Sequence, residues 1–104
     1  MNDNVIVLNC LDANERGSLE RLISIAKNGT GQSEIVANFL LAWWSANSCG
    51  GFNLTELWAV DSPLVEDMVN VFKLVEKVRN YPDTLGYQGD FDIIERRWRP
   101  GNFH

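Results

Sequence analysis

Apolar residues recur along this chain at the three-to-four spacing of a helix, and the stretch from Thr30 to Phe52 carries the strongest pattern. At about 100° per residue, Ile35, Phe39, Ala42, Trp43 and Ala46 fall on one side of a helical wheel. Val36, Ala37, Leu40, Leu41 and Trp44 extend the apolar surface most of the way round, leaving Glu34, Asn38 and Ser45 as the polar stripe. One contact face does not cover such a helix, so it belongs in the middle of a bundle. Trp43 and Trp44 are adjacent and point apart, which requires neighbouring elements to receive them. Thr30 or Ser33 supplies the cap, and Gly50-Gly51 the stop.

The remaining elements read outward from this one. Leu19, Leu22, Ile23, Ile25 and Ala26 share an arc from about Ala13 onward, opposite Glu20, Arg21, Ser24 and Lys27, and Asn28-Gly29 ends that helix, with Gly29 free to turn left-handed. A short helix is expected from Leu54 to about Val60, because Asn53 and Glu56 have capping-box spacing. Asp61-Ser62-Pro63 opens the longest helix, to about Arg79, with Leu64, Met68, Val71, Phe72, Val75 and Val78 inward. Tyr81-Pro82 stops it, since the residue before proline is driven from the helical region. Thr84 to Gly89 reads as a loop with an exposed Tyr87. Asp90 caps a last helix with Phe91, Ile94 and Trp98 on one face, which Arg99-Pro100-Gly101 breaks. The expected architecture is all-α: a compact single-domain bundle of about five helices, two of them short, around a central hydrophobic helix. An extended N-terminal arm is expected over residues 1–12, the helical domain over 13–100 and a tail over 101–104. Residues 4–9 admit a short strand as well as an arm.

Composition adds constraints. A length of 104 residues suits one domain, which buries roughly 65% of its unfolded surface and needs neither metal nor disulfide to fold. The net charge of −5 argues against a surface that grips phosphates throughout. The charge is also uneven. No Lys or Arg occurs between Lys27 and Lys73, yet that stretch holds Glu34, Glu56, Asp61, Glu66 and Asp67. Acids in loops and first helical turns complement helix dipoles and aid solubility. The same acids on one face would also dock on a basic partner. Met1 to Ala13 has no basic region before its apolar run Val5 to Leu8, which is too short for a signal peptide. No segment approaches the ~20 apolar residues of a membrane span, so a cytoplasmic protein is expected. Cys10 and Cys49 stand in no metal or redox pattern and read as free thiols.

Candidate chemistry is sparse. The single histidine, His104, is terminal, so neither a catalytic nor a ligand role is expected of it, and no metal or other cofactor is implied. Gly29-Thr30-Gly31-Gln32-Ser33 opens a helix as a phosphate loop does, but it lacks the lysine and the preceding strand, and reads as turn plus cap. Glu66 and Asp67 are adjacent and point about 100° apart, which suits dipole complements better than an acid and base pair. Arg96, Arg97 and Arg99 surround Trp98 in the one dense basic cluster. Such a patch holds a nucleic-acid backbone or an acidic surface, or pairs within the molecule.

The strings GTGQS, VANFLLAWW, CGGFNLTELWAVD and YPDTLGY resemble a family of small uncharacterised bacterial proteins associated with plasmids and integrative elements, over roughly Gly17 to Pro100. The resemblance brings no activity, cofactor or functional residue. It implies accessory, regulatory or counter-defence roles, including inhibition of CRISPR-type nucleases.

The expectation is therefore a non-enzymatic protein that binds another protein, or a second copy of itself. Its candidate contacts are Glu56, Trp58, Asp61, Glu66, Asp67 and Tyr87. The alternative is a nucleic-acid-binding regulator that uses Arg96, Arg97 and Arg99.

Overall fold

The structure, a computed structural model, describes residues 12–103. The arm expected before Asp12, with the alternative of a strand at 4–9, lies outside the described residues, as do Cys10 and His104.

Helix α1, Ala13–Ala26, begins where the Asp12 carboxylate accepts the Glu15 amide at 2.7 Å, the bond that an N-cap supplies to an otherwise unpaired donor. Leu19, Leu22 and Ala26 on its inner face have no exposure. Gly29 does not turn left-handed as expected. Its use is close approach: a Cβ there would lie 2.6 Å from Arg97 Nη2, and Arg97 Nε donates to the Asn28 carbonyl at 2.9 Å.

Helix α2, Gly31–Cys49, starts in a capping box in which the Thr30 and Ser33 side chains each accept the other's amide. Val36, Ala37, Leu40 and Leu41 are fully buried. The helix is broken late in its course, because Ser45 leaves helical values at φ −167°, ψ 88°. Gly50 closes it at φ 93°, a conformation glycine adopts without strain.

The short element expected after Phe52 forms as a 3-10 turn, Leu54–Ala59. Asn53 Oδ1 accepts the Thr55 amide at 3.1 Å, and no capping box with Glu56 forms. Helix α3, Ser62–Val78, starts one residue before Pro63 and ends at Arg79, which takes left-handed values at φ 50°. Its buried face is Met68, Val71, Leu74 and Val78. Phe72, expected inside, is 67% exposed.

The loop expected from Thr84 to Gly89 contains structure. Pro82–Leu85 is a 3-10 turn, Gly86 reverses the chain at φ 90°, and helix α4, Gln88–Trp98, begins at Tyr87 rather than at an Asp90 cap. Asp90 instead receives Lys27 Nζ. Pro100–Asn102 adds a last 3-10 turn.

All described elements are helical, and they form one globule. Helix α1 packs on α3 and α2, while α4 packs on α2. Contacts of Glu15 with Lys77 and of Arg21 with Asp67 show that α1 and α3 run antiparallel. Phe91 of α4, fully buried, receives both tryptophans of α2: Trp43 edge-on at 5.9 Å and Trp44 tilted at 5.6 Å. The outward parts of those rings are fixed by different partners. Trp43 donates its indole N–H to the Asn80 carbonyl, and Trp44 donates to Glu95, both at 2.9 Å. Burial raises the Glu95 carboxyl, but hydrogen bonds from Trp44 and Asn102 outweigh it and hold the group below its ordinary range. No helix among the described residues is long and apolar enough to cross a membrane.

Candidate docking surface

Helix α2 is interior along Val36, Ala37, Leu40 and Leu41, yet its Phe39 and Trp43 flank is only partly covered. Opposite that flank stands the Phe72 side of α3, and the Leu54–Ala59 turn closes one end. Between them lies an apolar trough made of two joined hollows of about 230 and 210 Å³. Phe39, Phe52, Leu54 and Phe72 line both hollows, with Val75 at one end and Leu57 and Val69 at the other. Phe39 and Phe52 meet edge to face at 5.4 Å and form part of the floor.

Local geometry explains why this surface is left uncovered. The 3-10 turn has no buried residue, so it lies against the bundle as a rim rather than as a fifth packed helix. Leu54 is 70% exposed and Trp58, on the same turn, 86%. A contiguous group of large exposed apolar side chains on a folded domain marks a contact surface, and tryptophan is the side chain most enriched among contacts that dominate binding.

The expected partner-binding residues divide around this trough. Trp58 stands free, Asp61 is exposed at the start of α3, where it accepts from Gln32 at 3.1 Å, and Glu66 is exposed on α3. Glu56 is half-buried on the 3-10 turn, with one carboxylate oxygen buried and unpartnered.

Two expected contacts are corrected. Asp67 is 6% exposed and faces α1, where Ser18 Oγ and Arg21 Nη2 each donate to Oδ1 at 2.8 Å and Arg21 Nε donates to Oδ2 at 2.9 Å. The Arg21 hydrogen bonds hold this carboxyl below the usual range, against the opposing effect of burial. Tyr87 is 9% exposed, and its hydroxyl donates to Glu20 at 2.9 Å. Burial, together with that bond, pushes its phenol up to about 12. Both side chains are buried and bonded to α1.

The arginine cluster is also dispersed. Arg99 is half-buried, donating to the Cys49 carbonyl at 2.9 Å and to Asn38 at 2.6 Å, so it serves the end of α2. Arg97 reaches the Asn28 carbonyl, and Arg96 lies over the Phe103 ring at 4.2 Å. Of the three, Arg96 and Arg97 keep exposed positions and Arg99 is half-buried.

Chemistry at other points is muted. Burial raises the Cys49 thiol, with Glu95 adding to the shift, which makes it a poor nucleophile. Among the described residues no group of three or more His, Cys, Asp or Glu is placed to hold a metal.

Sequence reasoning missed Leu54, Phe72 and Val69 as surface residues. Their apolar character and helical spacing suit a core position equally well, and only the arrangement of the turn beside α3 leaves them open. Among curated proteins and solved structures none matches the chain. Its family, however, is defined by a match over most of its length: the chain belongs to the family of unknown function DUF7673, whose family model matches residues 16–99.

Proposed function

We propose that this protein works by binding another protein, without catalysis of its own, and that the trough between α2, α3 and the Leu54–Ala59 turn is the docking face. The observation that carries this reading is the cluster of Leu54, Val69 and Phe72 left exposed around one apolar hollow. Trp58 on the adjoining turn supplies an aromatic anchor, and Glu56, Asp61 and Glu66 supply nearby negative charge. Filling the trough removes apolar area from water at about 25 cal/mol per Å², which favours a partner that presents an apolar ridge. Recurring helix-in-groove recognition has this form. As a setting we propose an accessory or regulatory role in a mobile element, counter-defence included, on the strength of the sequence resemblance alone.

The test is affinity capture from cells of the source organism with three baits: wild type, Phe72→Asp, and a variant with Glu56, Asp61 and Glu66 changed to Lys. A single stoichiometric partner held by wild type and lost with Phe72→Asp, at unchanged melting temperature, supports the reading. Recovery of nothing by any bait, or of the same partner by all three, opposes it.

A further inference from the structure

The apolar trough does not end at Trp43. That ring and Ala42 also wall a second and more open cleft of about 450 Å³, formed where α2 breaks at Ser45 and lined further by Trp44, Tyr81 and Asp83. The two spaces are neighbours with a shared wall, but their chemistry differs. The trough is lined by apolar side chains, whereas the cleft has aromatic side chains beside a carboxylate.

The polar groups of the cleft narrow what it accepts. Both indole N–H groups are already committed, Trp43 to the Asn80 carbonyl and Trp44 to Glu95, so neither is left to bind an anion. The Ser45 and Ser48 hydroxyls are bonded to each other at 2.6 Å. The one formally charged side chain lining the cleft is Asp83, whose carboxylate has no partner among the described residues. Tyr81 beside it is 60% exposed. Aromatic rings with a nearby carboxylate attract a cation, through the ring quadrupole and through direct charge pairing.

The segment that supplies most of the trough is acidic, and the exposed Lys73 beside Phe72 on α3 is the nearest cation that follows it in sequence. The sequence between Lys27 and Lys73 supplies most of the trough and contains no Lys or Arg, while Glu56, Asp61 and Glu66 lie within it. A second copy of this chain would bring a net charge of −5 and the same acids into a face-to-face contact, which like-charge repulsion disfavours.

We propose that the occupant of the docking face is a basic amphipathic helix, whose apolar ridge fills the trough and one of whose Arg or Lys side chains enters the Trp43, Trp44, Tyr81 and Asp83 cleft. The proposal rests on the trough being the docking face and adds the sign and place of the partner's charge. The cation then makes contacts that an uncharged side chain of equal length does not, so the cleft sets which amphipathic helices are accepted.

A phage-displayed library of helix-biased 16-residue peptides, selected on the full chain at low salt, separates the two claims. The expected selection is of sequences with apolar residues at i, i+3, i+4 and i+7 and a recurrent Arg or Lys at one fixed offset. Synthetic winners bind wild type, lose at least about fivefold in affinity to Asp83→Asn and to Tyr81→Ala, and lose binding altogether to Phe72→Asp. Replacing the recurrent Arg by Gln in the peptide removes the effect of Asp83→Asn. Winners that are neutral or acidic, sensitive to Phe72→Asp and indifferent to Asp83→Asn, overturn the cation and keep the trough. No winners, or winners indifferent to Phe72→Asp, overturn both. Sedimentation showing a dimer that Phe72→Asp dissociates overturns the basic helix in favour of a second copy.

Discussion

Arg21 holds Asp67 in a two-point grip, Nε to Oδ2 at 2.9 Å and Nη2 to Oδ1 at 2.8 Å, across the antiparallel interface of α1 and α3. Ser18 donates to the same carboxylate, and Asn70 Nδ2 donates to Ser18 at 3.0 Å, so four side chains share one closed network. Removing the acceptor leaves the hydroxyl of the buried Ser18 and the Arg21 guanidinium without their shared partner. Asp67→Ala should destabilise the fold by about 1–2 kcal/mol in urea titration, since hydrogen bonds to a charged group are worth more than neutral ones but the arginine is open to water. Arg21→Ala should cost at least as much as Asp67→Ala, because it leaves a buried carboxylate short of its charged donor, whereas the arginine left by Asp67→Ala is open to water. The two losses should not add in the double variant.

The same carboxylate sets part of the pH response. Its folded pKa lies below the ordinary value of 3.8, so the native state holds the proton less tightly than the unfolded chain. That contribution to stability is fully present above 3.8 and is lost as pH falls through the folded value. Tyr87 acts at the other limit. Its pKa is raised from 10.0 to about 12, so its contribution is intact below 10 and is lost as pH rises toward 12. Denaturation midpoints measured across pH should fall at both ends. Asp67→Asn should flatten the acid limb, and Tyr87→Phe the alkaline one.

Two phenylalanines should respond very unequally to truncation. Phe91 has no exposure and meets both tryptophans of α2, so Phe91→Ala should cost about 3–5 kcal/mol by opening a cavity. Phe72 is 67% exposed, and Phe72→Ser should change stability by no more than about 0.5 kcal/mol. Thermal melts of the two variants side by side measure the contrast. A large loss at Phe72 would place that ring in the core.

The helices were legible because their ends are written locally. Thr30, Pro63 and Pro82 act on amides or dihedrals within a few residues of themselves, and periodicity marks Leu19, Leu22, Leu40 and Val71 as interior. On the sequence, Asp67 reads as a dipole complement and a partner contact, although it shares an arc with Val71, Leu74 and Val78, where an acid needs a buried partner. Tyr87 was not legible as a buried residue. Its burial depends on the reversal at Gly86 and on Glu20, 67 positions away. Phe72 and Leu54 show the converse limit: their spacing fits a core, and whether a third element covers them is a tertiary fact. The break at Ser45, and with it the cleft beside Trp43, has no marker in the pattern of apolar residues. Of the proposed docking residues, Trp58, Glu56, Asp61 and Glu66 were named from composition and charge, while the apolar trough was not.

Arg99 should prove structural. It donates to the Cys49 carbonyl at the end of α2 and to Asn38 in its middle, so Arg99→Ala should cost about 1–2 kcal/mol by leaving those acceptors unpaired. With Arg99 committed inward, mobility-shift assays of the wild-type chain with duplex DNA or with RNA should show no retardation at low salt. Retardation that falls steeply with salt and is abolished by Arg96→Ala with Arg97→Ala would restore the nucleic-acid reading.

Site-specific photo-crosslinking tests the docking face most directly, because it reports which surface touches a partner inside the cell. Benzoyl-phenylalanine placed at Leu54, at Phe72 and at Arg97 gives three chains differing only in where the probe stands. The expected result is one adduct of the same mass from positions 54 and 72 and none from 97. Adducts from position 97 alone, or none from either trough position, would contradict the assignment of this face.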